Sequence, residues 1–199
     1  MGELEVRTRW NYVGPDCWSM PGDGHLYSDP DCESSALTYK TRIENYQKSD
    51  ILLQATVLAY GSVLDINGQE RYYSGFGLVA EDDPAMSYAM IQLTRNVAPA
   101  PYGVHAVTLT VNGVGYKLMD AVPRTVYTLK LRYLGRTNTL LAYVNGALKK
   151  TMSWVPTMAP YLEVINVAVE AGQVGPERAY CDIGSLIHNV SEYNTEAWT

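Results

Sequence analysis

Val126-Tyr-Thr-Leu-Lys-Leu-Arg-Tyr-Leu-Gly-Arg-Thr-Asn-Thr-Leu-Leu-Ala-Tyr-Val-Asn-Gly-Ala-Leu-Lys-Lys150 reads as strand, turn, strand and a second turn. Tyr127, Leu129, Leu131 and Tyr133 alternate with Thr128, Lys130 and Arg132, the period of a strand with one buried and one wetter face. Leu134 to Asn138 supplies Gly and Asn for a turn, and a second run spans Thr139 to Val144. Asn145-Gly146 then closes it with the strongest short-range hairpin signal.

The same alternation recurs on both sides of this stretch. Leu4 to Trp10 reads as an opening strand, with Leu4, Val6, Thr8 and Trp10 on one side. From Asn11 to Ser35 the pattern breaks into turn signals, Gly14-Pro15, Pro21-Gly22, Asp23-Gly24 and Asp29-Pro30, which predict one long irregular loop. Periodicity returns at Ala36 to Tyr46. Asp50 to Tyr60 is almost continuously apolar and belongs at the centre of a sheet. Asn67-Gly68 turns the chain into Arg71 to Ala80, where Gly75 and Gly77 share a face with Tyr73 and are expected to leave a bare backbone groove.

Ser87 to Arg95, His105 to Val111, Tyr116 to Ala121, Leu162 to Ala171 and Ala179 to Val190 complete the strands, with an irregular crossing from Trp154 to Pro160. The sum is about ten to twelve strands, and no segment keeps a helical period beyond about two turns. The expectation is a single all-β domain over 1–199, an antiparallel two-sheet jelly-roll sandwich with its first strand near its last. Phe76, Leu78, Ile91, Leu93, Leu129 and Leu131 should form its core.

Composition narrows the function classes. The net charge is −6, and Lys149-Lys150 is the largest basic cluster, so there is no electrostatic footprint for nucleic acid. No apolar run approaches the roughly 18 residues of a membrane-spanning helix, and residues 1–5 lack the features of a signal peptide. Membrane insertion is not expected, and an extracellular setting or a virion or cell surface is the favoured location. Three cysteines are too few for a disulfide scaffold. Cys181 lies in an apolar run, and a Cys17–Cys32 bond would close a loop worth about 3 kcal/mol in the chain-entropy model, with reduced thiols the equal alternative.

The stretches Ser74-Gly75-Phe76-Gly77-Leu78-Val79, Tyr88 to Leu93, Tyr127 to Gly146 and Ala179 to Val190 together resemble the concanavalin A-like, or laminin G-like, jelly-roll superfamily of lectins, glucanases and carbohydrate-binding modules. Leu140-Leu141-Ala142-Tyr143-Val144-Asn145-Gly146 is similar to the aliphatic and Tyr-rich strand that precedes an Asn-Gly turn in that superfamily. The resemblance implies the fold, and a function among glycan binding, glycan cleavage and assembly.

Laminarinase-type enzymes of the superfamily place Glu-x-Asp-x-Glu, or the form one residue longer, on a strand, so that a nucleophile and an acid share one face. Glu81-Asp82-Asp83 lacks the third carboxylate and is interrupted by Pro84. Asp29-Pro30-Asp31-Cys32-Glu33 keeps the spacing but inserts a proline. No catalytic residues are therefore assigned. These carboxylates read first as solvated loop acids, and second as a calcium site in which Asp23, Asp29 and Asp31 offer hard oxygen ligands. His25, His105 and His188 lie far apart and read as ordinary strand residues, and Asn189-Val190-Ser191 fits a glycosylation acceptor.

The expected function is a non-catalytic, lectin-like binding module for a glycan. Its ligand surface would carry Tyr73, Gly75, Gly77, Tyr88 and Gln92, with Arg132 and Glu170 from neighbouring strands. Flat aromatic faces and a few polar groups are the mix such a site requires. The alternatives are a structural or adhesive surface protein built for self-assembly, such as a virion decoration, and a glycoside hydrolase or polysaccharide lyase on the same fold.

Overall fold

The structure is a computed structural model that describes residues 10–13, 18–19, 25–28, 34–39, 42–60, 72–80, 87–95, 105–122, 125–167 and 180–192, with side chains described at 42–57, 75–80, 87–94, 105–122 and 125–164. Fourteen strands are found among these residues: β1 (Trp10–Val13), β2 (Trp18–Ser19), β3 (His25–Ser28), β4 (Ser34–Tyr39), β5 (Ser49–Tyr60), β6 (Tyr72–Val79), β7 (Tyr88–Arg95), β8 (His105–Val111), β9 (Val114–Asp120), β10 (Val126–Leu134), β11 (Thr139–Val144), β12 (Ala147–Ser153), β13 (Tyr161–Val167) and β14 (Tyr180–Glu192). The helical content of the described residues is two 3-10 turns, Tyr46–Lys48 and Gly135–Thr137.

The strands form two seven-stranded antiparallel sheets. Sheet A has the order β1-β4-β13-β6-β7-β8-β9, and sheet B the order β12-β11-β10-β5-β14-β3-β2. The near-continuous apolar strand β5 is the fourth of seven in sheet B, as its composition requires. The inner faces meet in one core. Val164, Phe76, Ile91 and Leu109 form a row across sheet A, and Leu53, Leu131 and Ala142 form a row across sheet B. Phe76, Leu78, Ile91, Leu93, Leu129 and Leu131 are all buried in this core.

Both observed Asn-Gly turns use the same device. Asn112 and Gly113 have φ of 48° and 81°, and Asn145 and Gly146 have φ of 49° and 80°, the left-handed pair of a type I′ hairpin. Each asparagine also clamps a third strand. Asn145 donates its N–H to the Thr128 carbonyl (2.8 Å) and accepts the Thr128 N–H on Oδ1 (2.9 Å). Asn112 does the same to Tyr88, at 3.0 and 2.9 Å. The turn between β10 and β11 is fixed differently. A Cβ on Gly135 would stand 1.8 Å from the Tyr46 carbonyl oxygen, so only glycine lets the two 3-10 turns touch.

Three expectations change. The stretch 11–35 is not one irregular loop, because it contains most of β1 together with β2 and β3, which join the outer ends of the two sheets. Its closely spaced Gly and Pro pairs fall between short strands at or next to the sheet edges, and strands of two to four residues are too short to show a period. The run 36–46 is likewise split: β4 ends at Tyr39, and Tyr46 opens a 3-10 turn. Trp10 pairs with Tyr39 in sheet A, whereas β14 pairs with β5 and β3 in sheet B, so the first described strand does not lie beside the last. Residues 4–9 lie outside the described residues.

Candidate functional site

In a two-sheet sandwich one face of each sheet lines the core and the other is normally solvated. Sheet A departs from this. On β7, Ala89, Ile91 and Leu93 point into the core, yet the opposite face, Met90, Gln92 and Thr94, is buried as well. On β6 the outward residues Gly75, Gly77 and Val79 are buried, and on β13 so is Glu163. A buried layer therefore runs across β13, β6 and β7 on the outer side of the sheet and forms the floor of the candidate site.

The floor is polar at several points. Gln92 is 7% exposed, Thr94 4% and Glu163 7%. Gln92 donates Nε2–H to Thr110 Oγ1 on β8 at 3.1 Å, and Thr94 Oγ1 lies 3.4 Å from the Ala106 carbonyl. Thr108, which faces Gln92 across the ladder, has a buried hydroxyl without a hydrogen-bond partner. Glu163 is opposite Gly77, and no donor or cation among the described residues reaches its carboxyl. Burial alone pushes this carboxyl up to about 7.

The rim includes Tyr88, half-buried and held by Asn112 at the end of β7. Tyr161 lies two positions before Glu163 with the Arg42 guanidinium over its ring at 5.1 Å, and Arg42 also donates Nη1–H to the Ala159 carbonyl at 2.9 Å. On the far edge strand β9, Lys117 pairs with Asp120 at 2.9 Å, both well exposed.

The structure brings Gly75, Gly77, Tyr88 and Gln92 onto this face, and the backbone of Tyr73 pairs with Thr94 beside them. It corrects the role expected of the glycines. A Cβ on Gly77 would lie 2.0 Å from the Ala89 carbonyl oxygen and 2.6 Å from Met90 Sδ, and one on Gly75 would lie 2.1 Å from the Ile91 carbonyl oxygen. The glycines thus permit β6 and β7 to close on each other, and side chains of β7 occupy the space expected to be a bare groove.

Arg132 is not brought to this face. It lies on β10 in sheet B, where Nε donates to both carboxylate oxygens of Asp50 (2.8 and 3.0 Å) and an Nη donates to the same group. The whole core thickness, about 10 Å between sheets, separates it from Gln92. Glu170 and the proposed calcium ligands Asp23, Asp29 and Asp31 lie outside the described residues, as do Cys17 and Cys32. Among the described residues no group of three or more His, Cys, Asp or Glu is placed to hold a metal. Also among the described residues, no helix is long and apolar enough to cross a membrane.

Glu163, Thr94, Thr108 and Thr110 belong to the face although the sequence pattern does not single them out. Glu163 had a signal, since it is the one charged residue in Tyr161-Leu-Glu-Val-Ile-Asn-Val167.

Two antiparallel seven-stranded sheets face to face, almost without helix, decide the architecture. The chain has the concanavalin A-like jelly-roll fold. Solved structures of this jelly-roll sandwich superpose along nearly the whole chain. An alginate lyase from Alteromonas sp. 272 matches with a TM-score of 0.66 at 9% identity, covering 94% of this chain and 96% of that one. Alginate lyase AlgAT5 of polysaccharide lyase family 7 matches with a TM-score of 0.64 at 14% identity, covering 96% and 99%. The carbohydrate-binding module CBM66 from Bacillus subtilis matches with a TM-score of 0.53 at 11% identity, covering 90% and 94%. No family model and no curated protein sequence matches this jelly roll.

Proposed function

We propose that this protein is a non-catalytic glycan-binding module whose ligand lies on the recessed outer face of sheet A. The observation that carries the reading is the burial of Gln92, Thr94 and Glu163 on a face that takes no part in the sandwich interior. Buried polar groups ordinarily have partners; here the Thr108 hydroxyl has none, and no described residue reaches the Glu163 carboxyl. Sugar hydroxyls, each a donor and an acceptor, supply what these groups need, and Tyr88 offers a flat apolar edge.

The fold neighbours include both lyases and a carbohydrate-binding module, which supports engagement of a polysaccharide in either mode. Binding is favoured over glycoside hydrolysis by the composition of the described floor. An amide, hydroxyls and the Glu163 carboxyl can hold a ring in place, whereas a retaining glycosidase needs two carboxyl groups about 5–5.5 Å apart. A glycan ligand suits a location outside the cell or on a cell or virion surface, which is part of the same proposal.

A glycan array identifies ligands, and titration of Tyr73→Ala, Tyr88→Ala and Gln92→Ala against any hit tests the surface. The expected result is at least a tenfold loss in one or more variants with an unchanged melting temperature. Unchanged affinity in all three removes this face as the site. Growth of the unsaturated-product absorbance on incubation with a uronate polymer would replace binding by lyase activity. A self-association defect in the tyrosine variants, read by light scattering, would move the protein to the assembly class.

A further inference from the structure

We propose, resting on the glycan reading above, that the ring seated over β13 and β6 carries no carboxylate: the recess selects uncharged, hydroxyl-rich glycans and rejects uronates through Glu163. The first support is geometric. Glu163 is nine-tenths buried on the outer face, opposite Gly77, with Met90 Sδ beyond that glycine. No described donor or cation reaches its carboxyl.

The second support is the charge of the surroundings. The described outward residues of β6 are Gly75, Gly77 and Val79, those of β7 are Tyr88, Met90, Gln92 and Thr94, and those of β8 include Ala106, Thr108 and Thr110. None of these is cationic. Arg42 lies beside the start of β13, where it is engaged by the Tyr161 ring and the Ala159 carbonyl. Lys117, four strand spacings or about 19 Å from β13, is paired with Asp120.

A uronate placed over β13 would set its carboxylate beside the Glu163 carboxylate, where none of these described outward residues supplies a counter-charge, and like charges at such an interface are strongly disfavoured. A ring hydroxyl instead donates to the carboxylate in a charge-assisted bond. The second unpartnered group, Thr108 Oγ1, lies three strand spacings away, about 14 Å. A ligand that satisfies both is therefore an oligosaccharide lying across the strands rather than a single ring.

The experiment is calorimetric titration at pH 8 of the wild type and Glu163→Gln. The probes are neutral hexasaccharides of β-1,3-glucan, β-1,4-glucan, xylan and mannan, and acidic hexasaccharides of mannuronate, guluronate and galacturonate. Melting curves establish that the isosteric variant is folded. The expected result is a neutral probe bound at least tenfold more tightly than every uronate. Glu163→Gln should lower the neutral affinity and raise uronate affinity at least fivefold. A uronate bound as tightly as the best neutral probe overturns the inference while leaving the glycan reading intact. A neutral preference that Glu163→Gln does not change overturns the assignment to Glu163. No binding of any probe by the wild type overturns both.

Discussion

Replacing Glu163 with glutamine should flatten the dependence of stability on pH. In an unfolded chain the carboxyl titrates near its ordinary value of 4.5, and in the folded protein burial raises it to about 7. Between those values the native state holds a proton that the unfolded state has released, so stability falls as pH rises. Below pH 4.5 the carboxyl is protonated in both states and costs nothing. Above pH 7 the loss is complete, at about 3 kcal/mol for a displacement of this size. A glutamine side chain has the same shape and does not titrate. Wild type and variant should therefore melt close together at pH 4.5. At pH 8.5 the variant should be the more stable by about 3 kcal/mol, or about 10 °C for a domain of this length. Thermal or urea melts at half-unit pH intervals measure this, with Glu44→Gln, an exposed position, as the control. Parallel curves for wild type and Glu163→Gln would refute the reasoning, because they would mean that Glu163 is as well solvated folded as unfolded.

Four other outcomes are expected. Asn145→Ala should lower stability by about 2 kcal/mol in urea melts, since it loses both a favoured left-handed residue and the side-chain acceptor for the Thr128 N–H. Gly77→Ala should cost about 3 kcal/mol or leave the protein insoluble, because its methyl would stand 2.0 Å from the Ala89 carbonyl oxygen. Tyr133 is held at about 12 by burial and by Tyr46, so its phenol stays protonated in the fold after the unfolded chain has begun to ionise near 10, and stability should fall as pH rises from 10 to 12. Tyr133→Phe should remove that decline while costing about 1 kcal/mol at neutral pH through the lost bond to Asn138. For the acidic stretch of 11–35, melting with chelator tests a calcium site at Asp23, Asp29 and Asp31, and melting with reductant tests Cys17–Cys32; insensitivity to both rejects both.

The core was legible because period-2 alternation and Asn-Gly turns are local signals. Leu129 and Leu131 had to face inward once Lys130 and Arg132 faced out, and Asn145-Gly146 fixed the hairpin without reference to anything distant. Sheet membership is not local. Arg132 and Gln92 are both outward residues of alternating strands, and alternation gives the face of a residue within its own sheet and nothing about which sheet it belongs to. That is decided by the pairing of β10 with β5 and of β7 with β6 and β8, contacts made across long stretches of chain. The glycines show the same limit. Gly75 and Gly77 read identically whether they open a groove or close one, and only the distance to the β7 carbonyls distinguishes the two.

β7 shows how a pattern that predicts correctly can still locate a site by its failure. Its alternation of Ala89, Ile91 and Leu93 with Met90, Gln92 and Thr94 is that of a strand with one dry and one wet face, and the dry face is where it should be. Burial on the other face is what alternation does not foresee, because an amide and a hydroxyl there require polar partners. Part of that requirement is met within the sheet, by Thr110 for Gln92 and by the Ala106 carbonyl for Thr94. The Thr108 hydroxyl is not met, and no described residue meets the Glu163 carboxyl. A carboxyl that loses stability on every rise in pH from 4.5 to 7 is a standing cost to the fold, and a ligand that donates hydroxyls to it reverses that cost. Residues whose sequence pattern promises water and whose structure withholds it are therefore the ones on which a ligand has most to offer.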